Sequence, residues 1–174
     1  MPTRAYLEKR ILQYQGSVFK SVDEKAVALL KQYERANKEV VDELARLYAA
    51  HGSGGKLTLS ELQKYGRLKK LNATLVSIGK QLGGKEIDFL MSELPELYMA
   101  TRVHLYGVMG IVFEGVPKDR IAKLLEYPWS GANFSDRIWE NKRLLVKTLR
   151  EELIRGTVRG SSFTEMRKAI STKM

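Results

Sequence analysis

The chain has 174 residues, a net charge of +10 and a hydrophobic content of 44%, which suits one ordinary domain or two small helical ones. The lack of cysteine excludes disulfide bonds, thiolate zinc sites and a cysteine nucleophile. The excess positive charge favours an acidic partner such as nucleic acid. No run approaches the roughly 18 apolar residues of a membrane span, and the first residues lack the apolar block of a signal peptide. We therefore expect synthesis in the cytoplasm and no membrane contact.

Helical periodicity dominates the first third of the chain. A first helix is predicted from about residue 3 to 15, with Gly16–Ser17 as its end. A second is predicted over about 22–50, where apolar residues recur close to a 3.6-residue period. A helix of about 29 residues would be roughly 43 Å long, which favours an elongated bundle or a coiled hairpin. The glycine-rich loop at 52–55 is predicted to end it.

Two more long helices are expected in the middle of the chain. Thr58–Glu61 has the pattern of a capping box and predicts a third helix over about 59–81, closed by Gly83–Gly84. A fourth is predicted from residue 85 to about 113. Pro95 is tolerable there only as a kink or as the start of a new helix, so we expect the helix to be split just before it.

Three further helices are predicted in the last third. A short one is expected over 118–126, because Pro117 favours a first turn. A strong helix over about 136–158 is followed by Gly160 as its C-terminal cap, and Ser162–Glu165 is a second capping box that opens the final helix. The apolar pattern of that helix is unfinished at the last residue, which predicts a truncated chain.

These elements predict an all-α protein, an elongated bundle of long antiparallel helices with a compact C-terminal helical unit. There are no strand pairs joined by turn residues, no low-complexity tract and no repeat of fixed period. The expected division is a long-helix bundle region over 1–115 and a Trp-anchored helical unit over 116–174. A single domain is the alternative.

Both tryptophans lie in segment 127–139, which carries strong turn signals. Ser130–Gly131 and Asn133 favour a turn, and Ser135 is predicted to cap a helix that begins at Asp136. The tryptophans are expected to fasten this corner onto the core. The alternative is that they are anchors for a binding partner.

A spaced set of residues extends from this corner through the next helix and turn. It comprises Trp129, Gly131, Asn133, Phe134, Ser135, Arg137, Ile138, Trp139, Asn141, Gly156, Gly160, Ser162 and Met166. Over roughly residues 127–170 this set resembles the phage minor head protein family, also called the head morphogenesis or Mu F-like family. Before residue 127 the resemblance is diffuse.

The resemblance implies a structural protein of a tailed phage or prophage. Such proteins are present in few copies inside the capsid, are linked to the portal vertex, and assist head assembly, DNA packaging or delivery. The implied partners are the portal protein, other head or scaffolding proteins and packaged double-stranded DNA, with synthesis in the host cytoplasm. Family members usually continue past the final helix, and any enzymatic or toxin activity would lie in that further region. No catalytic residue is transferred.

Two groups of basic residues are candidates for contact with DNA or a protein partner. They comprise Lys64, Arg67, Lys69 and Lys70 in the third helix, and Lys142, Arg143 and Arg159 in the C-terminal part. Three-residue spacing predicts that most of the first group forms one basic stripe suited to a phosphate backbone. The second group is diluted by neighbouring glutamates. For both groups the alternative is an ordinary solvated helix surface, and a nucleic-acid-binding protein acting outside a virion is the alternative function.

Other patterns do not support chemistry. The loop at 50–58 lacks the Gly-Lys-Ser/Thr sequence and the preceding strand of a phosphate-binding loop. His51 and His104 have no second ligand at helical spacing, and paired carboxylates such as Asp136 with Glu140 occur in nearly any charged helix. We therefore expect no catalytic residue, no metal ligand and no cofactor.

Overall fold

The computed structural model of the chain describes residues 3–128 and 131–174, and over these residues the protein is all-α. The described helices are α1 (Arg4–His51), α2 (Leu59–Gln63), α3 (Arg67–Met109), α4 (Lys118–Glu126), α5 (Phe134–Arg159) and α6 (Phe163–Lys173), with a 3-10 turn at Lys64–Gly66. The predicted fold class is confirmed. Helices α1 and α3, with 48 and 43 residues, are longer than any helix expected from the sequence.

The chain divides into two compact units. Unit 1 contains Met1–Leu29 and Glu86–Arg137, and unit 2 contains Leu30–Lys85 and Ile138–Met174. The divisions fall within α1, α3 and α5, so each of these helices contributes to both units. The predicted boundary at 115/116 falls inside unit 1.

Unit 2 has a hydrophobic core made by α1, α2, α3, α5 and α6. Its members are buried, apolar and spaced at helical periods. They comprise Ala36, Val40, Leu44, Leu47, Tyr48, Leu57, Leu62, Leu71, Leu75, Ile78, Leu82, Leu149, Leu153, Met166 and Ile170. This core holds the helices of unit 2 against one another.

In unit 1, aromatic and polar side chains of α1 and α3 contact each other. The Tyr14 ring stacks on the His104 ring with 4.1 Å between centroids, and the Tyr14 hydroxyl is 3.2 Å from Thr101 Oγ1. Further along α1, Lys25 Nζ donates to Glu93 Oε2 at 2.5 Å. From Tyr14 to Lys25 the residue numbers rise along α1, while those of the contacting residues on α3 fall from His104 to Glu93. The two segments are therefore antiparallel. Only Ile121 is buried among the described residues of this unit.

Three predicted helix interruptions are absent. Helix α1 continues through Gly16–Ser17, because a glycine inside a helix costs only about 0.5–1 kcal/mol relative to alanine. Helix α3 likewise continues through Gly83–Gly84 and through Pro95, so the predicted closure and the predicted split were both wrong. Gly83 is required by packing: a Cβ there would lie 2.5 Å from Cζ3 of Trp139.

The third predicted helix is interrupted early. Thr58 caps α2 by accepting from the Glu61 amide at 3.2 Å, which is one half of the predicted capping box, while the Glu61 carboxylate pairs with Lys64 and Arg67. The helix then breaks, because Tyr65 (φ 52°) and Gly66 (φ 69°) both adopt the left-handed conformation. A second helix, α3, begins at Arg67.

Other predicted helix ends are confirmed. Helix α4 has the predicted bounds, and Ser162 and Glu165 form both halves of the capping box that opens α6. Gly160 (φ 69°) ends α5 with the paired hydrogen bonds of a Schellman motif: its own amide bonds to Thr157 O, and the Ser161 amide bonds to Gly156 O.

Candidate interaction surfaces

The positive charge of the chain belongs to unit 2. Unit 2 has 20 Lys and Arg against 9 Asp and Glu, whereas unit 1 has 10 against 11. The net charges are therefore +11 and −1, which together give the +10 of the chain. A polyanionic partner would be attracted to unit 2 and not to unit 1.

The most prominent feature of unit 2 is the kink segment, which we define as Lys64 to Lys70. The left-handed backbone at Tyr65 directs its side chain into solvent, where 90% of the residue is exposed. A non-glycine residue in this conformation is strained, and such strain is concentrated at functional positions. The Arg67 guanidinium lies 5.1 Å from the centroid of the Tyr65 ring. An exposed aromatic ring thus lies among basic side chains.

The predicted basic stripe is only partly available. Glu61 pairs with two of its cations: Lys64 Nζ donates to Oε1, and Arg67 Nη1 lies 3.1 Å from Oε2. The hydrogen bond from Lys64, supported by Arg67, lowers the pKa of the Glu61 carboxyl. Lys69 and Lys70 are exposed and have no ion-pair partner in the described part of the chain.

The geometry of the stripe also differs from the prediction. Lys64 precedes the break and lies in the 3-10 turn, whereas Arg67, Lys69 and Lys70 lie on α3. The three-residue spacing therefore does not define one helix face. The break is caused by two consecutive left-handed residues, and Gly66 was the only local signal for it.

The C-terminal basic group was predicted less well. Lys142 is buried, with 7% of the residue exposed, and its Nζ donates to the Tyr33 hydroxyl while lying 4.8 Å from the centroid of that ring. Placing it on a DNA-contacting surface was therefore wrong. The sequence indicated that Lys142 is buried. It follows Ile138 by four residues and precedes Leu149 by seven, which puts it on the apolar face of α5.

The other two members of this group are exposed. Arg143 makes a bidentate pair with Glu140, at 2.8 Å from Nε to Oε2 and 2.5 Å from Nη2 to Oε1, which lowers the pKa of Glu140. Its charge is thus largely compensated. Arg159 is exposed and has no ion-pair partner among the described residues.

Helix α6 offers a second basic surface that the sequence analysis did not select. Arg167 and Lys168 line a shallow depression of about 390 Å³ with three hydroxyl side chains and no carboxylate. The hydroxyl residues are Thr164, Ser171 and Thr172. The two cations suit phosphate oxygens, whereas the Ser171 hydroxyl already donates to Asn37 Oδ1 at 3.1 Å and the Thr172 hydroxyl to Lys168 O at 2.8 Å. The four-residue spacing of Thr164, Lys168 and Thr172 was the available signal.

The tryptophan corner is an architectural feature over its described residues. Asn133, not Ser135, caps α5: its Oδ1 accepts from the Asp136 amide at 2.8 Å and from Ser135 Oγ at the same distance. The helix therefore begins at Phe134, two residues earlier than predicted. Both residues are competent caps, and spacing alone did not distinguish them.

The motif residues around that cap have different environments. Gly131 has φ 85°, which only glycine adopts readily, and its amide bonds to Pro128 O at 3.2 Å. The Arg137 amide bonds to Asn133 O at 3.3 Å within the first turn of α5. Trp129 lies outside the described residues, so its predicted role stays a prediction.

Trp139 packs on α3 in unit 2 while keeping 43% of its surface exposed. Its ring covers Gly83, and it lines an open groove of about 220 Å³ with Val76, Gly79 and Val146. Trp139 therefore packs against α3 of unit 2 and still leaves part of its aromatic surface accessible, and its role as an anchor for a partner stays a prediction.

Features that would support chemistry are few. In the described part of the chain, no three His, Asp or Glu side chains are placed to hold a metal ion. The His104 ring is stacked on Tyr14 and its Nε2 is buried without a hydrogen bond. None of the described helices is long and apolar enough to cross a membrane.

Comparison with known proteins adds no assignment. No protein-family model matches the chain, and neither a curated protein nor a solved structure is significantly similar to it.

Proposed function

We propose that this chain is a structural minor head protein of a tailed phage or prophage. It associates with the portal protein inside the capsid and assists head morphogenesis, DNA packaging or delivery, alongside other head or scaffolding proteins. The role is non-enzymatic and uses no cofactor. It is made in the host cytoplasm and assembles into the virion.

The observation that carries this proposal is the spaced residue set over 127–170. Several of its members have structural roles that explain why their types are needed. Asn133 caps α5, Gly160 ends it in a left-handed conformation, and Ser162 opens α6 with a capping box. The set therefore describes a particular helix, turn and helix arrangement, and the proposal rests on its resemblance to the family over these residues.

The charge of unit 2 supports contact with packaged DNA. Lys69 and Lys70 are uncompensated beside the exposed Tyr65, and Arg167 and Lys168 are uncompensated on α6. Lysine and arginine on two helices of a unit with net charge +11 can neutralise phosphates without reading sequence. This matches what a DNA-filled capsid interior would require.

Co-purification with the portal protein tests the main proposal. The chain would be co-expressed with the tagged portal protein of its own genome, and a portal protein from an unrelated phage would be the control. We expect retention with the cognate portal alone. Retention with neither, when both proteins are well folded, would contradict the proposal. The genes beside this one give an independent check, because portal and terminase genes are expected there.

The alternative is a helical nucleic-acid-binding protein that acts outside a virion, favoured by the concentration of charge in unit 2. Duplex affinity would be measured by fluorescence anisotropy across a salt series. Lys69→Glu with Lys70→Glu is the test variant, and Lys118→Glu with Lys123→Glu in unit 1 is a control with the same change in net charge.

The two functions predict different results in this assay. If DNA is the principal partner, log affinity falls steeply with log salt, and the unit 2 variant loses affinity while the unit 1 control does not. Negligible binding at physiological salt would exclude the alternative. Weak, salt-sensitive binding that persists beside portal co-purification would favour the minor head protein.

A further inference from the structure

Helix α1 has an apolar face in unit 1 that is exposed in the described part of the structure. Leu12 and Phe19 lie seven residues apart, so they project from the same side of the helix, and they are 66% and 68% exposed. Tyr14 and Ser21 follow them by two residues, about 200° around the helix, and line the groove that α1 forms with α3. Leu12 and Phe19 are therefore on the side opposite α3.

Gly16 lies between these two residues, and no contact with the described residues requires a glycine at this position. Glycine weakens a helix interior, yet a Cβ at this position would have no atom within 4 Å. The space above Gly16 is open. A glycine at the centre of an exposed apolar face allows the backbone of another helix to approach closely.

Charges on this face are arranged symmetrically about that glycine. Lys9 lies seven residues before Gly16 and Asp23 seven residues after it, so all three share one side of the helix. Lys9 and Asp23 are exposed and have no ion-pair partner among the described residues. If two copies of α1 cross antiparallel at Gly16, each Lys9 faces the Asp23 of the other copy.

We propose that the outer face of α1, formed by Lys9, Leu12, Gly16, Phe19 and Asp23, pairs with the same face of a second copy of this chain in antiparallel orientation. The contact is isologous, as in most homodimers. Gly16 packs against Gly16 on the two-fold axis, and each Phe19 lies over Leu12 of the other copy. The proposal is independent of the function proposed above.

Self-complementarity favours a second copy over another partner. The five residues that define the face include one cation and one anion, and the flanking Glu8 and Lys20 add one of each sign. The face is therefore balanced in charge, so it attracts an identical antiparallel face and offers little to a uniformly acidic or basic partner. A parallel pair would place Lys9 against Lys9 and Asp23 against Asp23. The charge pattern therefore specifies the orientation as well as the occupant.

Sedimentation equilibrium over a wide concentration range tests the dimer with the full chain. We expect a monomer–dimer equilibrium that Phe19→Glu abolishes. Val158→Glu is the matched control, because Val158 is 67% exposed on a helix outside the proposed interface. Circular dichroism verifies folding of each variant. A chain that is monomeric throughout, or a dimer that tolerates Phe19→Glu, would overturn the proposal, even if another protein were found on this face.

Charge exchange tests the orientation. Lys9→Glu or Asp23→Lys alone is expected to raise the dissociation constant by about tenfold, because each creates two like-charge contacts per dimer. The double variant restores attraction and should regain the original constant. A double variant no tighter than the single ones would contradict antiparallel pairing.

The absence of cysteine permits a direct geometric test. Gly16→Cys introduces a single thiol on the proposed two-fold axis, where the Cα atoms of the two copies come close enough for a disulfide. We expect oxidation to give a covalent dimer, whereas Val158→Cys should remain monomeric under the same conditions. Equal crosslinking of the two variants would show random collision and count against the proposed interface.

Discussion

The two units of this protein differ in what stabilises their helices. All 15 members of the buried hydrophobic cluster belong to unit 2, whereas Ile121 is the one buried residue in the described part of unit 1. Unit 1 depends on aromatic and polar contacts such as the Tyr14–His104 stack and the Lys25–Glu93 ion pair. Since hydrophobic burial is the dominant favourable term in folding, unit 2 should carry most of the stability.

The two units also differ in the charge and the apolar side chains that they expose. Unit 2 is rigidly packed and has a net charge of +11, which suits attraction of a polyanion to fixed positions. Unit 1 is nearly neutral and leaves apolar residues such as Leu12, Phe19 and Val112 exposed. Exposed apolar surface of this kind favours association with protein. Among the described residues, unit 1 exposes 11 large hydrophobic side chains and unit 2 exposes six, so the two units differ sharply in charge and by degree in apolar surface.

The largest expected effect is the difference between two isoleucine truncations. Ile78 in unit 2 is 2% exposed and Ile111 in unit 1 is 52% exposed. Ile78→Ala should lower the free energy of unfolding by about 2–5 kcal/mol because it leaves a cavity, whereas Ile111→Ala should change it by less than about 0.5 kcal/mol. Denaturant unfolding followed by circular dichroism measures both. Equal losses would show that unit 1 has a core of its own.

A pair of glycine substitutions should have opposite signs. Gly83→Ala forces Trp139 away, because the new Cβ would lie 2.5 Å from its Cζ3, and we expect a net loss of about 1–2 kcal/mol. Gly16→Ala has open space around it and should gain about 0.5–1 kcal/mol.

Dilute protein should be used, so that self-association does not contribute to the measured stability. Trp139 fluorescence in a Trp129→Phe background reports the movement of the ring in the Gly83 variant. A stabilising Gly83→Ala would contradict the packing role of that glycine.

The sequence predicted local features better than distant ones. Caps at Thr58, Gly160 and Ser162 were found because a cap depends on residues within one turn. Gly83 was taken for a helix end because its real partner, Trp139, is more than fifty residues away in sequence. No local pattern distinguishes a glycine that ends a helix from one that accommodates a ring.

The candidate surfaces show the same limit. Lys69 and Lys70 were correctly placed on an exposed helix. Glu61 and Lys64 pair at the i, i+3 spacing of one helical turn, which the sequence could have indicated. The pairing of Arg67 with Glu61, six residues away, depends instead on the left-handed break at Tyr65. The left-handed conformation of Tyr65 and Gly66 turns the chain between Lys64 and α3, so the cations on either side do not share one helix face. Helical spacing gave no indication of this break or of the exposure of Tyr65.

The capping box of α6 should have a smaller effect, confined to unit 2. Ser162→Ala removes the side chain that accepts from the Glu165 amide and should cost about 1 kcal/mol. Hydrogen bonds from the Ser162 amide and hydroxyl lower the pKa of Glu165. A lowered folded-state pKa gives stability that is present above the unfolded value and is lost as pH falls through the folded value.

Glu165→Gln isolates that pH dependence. The wild-type protein should be more stable than this variant near neutral pH, and the difference should shrink as the pH drops below the folded pKa of Glu165. Thermal unfolding across an acid pH series measures it. Glu114→Gln, an exposed carboxylate of unit 1, is the control and should leave the pH profile unchanged. A constant difference between wild type and Glu165→Gln would show that the contribution is not electrostatic.

The smallest effect on stability should come from the Lys25–Glu93 ion pair of unit 1, and its pH dependence should appear at alkaline pH. The Lys25 ammonium lies 2.5 Å from Glu93 Oε2 and 3.6 Å from Glu96 Oε2, and the hydrogen bond with Glu93 raises the pKa of Lys25 above 10.5. A raised folded-state pKa gives stability that is present below the unfolded value and is lost as pH rises through the folded value. Lys25→Gln should therefore lower the unfolding temperature slightly at neutral pH and not at strongly alkaline pH. Lys25→Arg keeps its charge and should preserve the pair throughout. If neither variant changes the alkaline profile, the exposed pair contributes nothing measurable to the stability of unit 1.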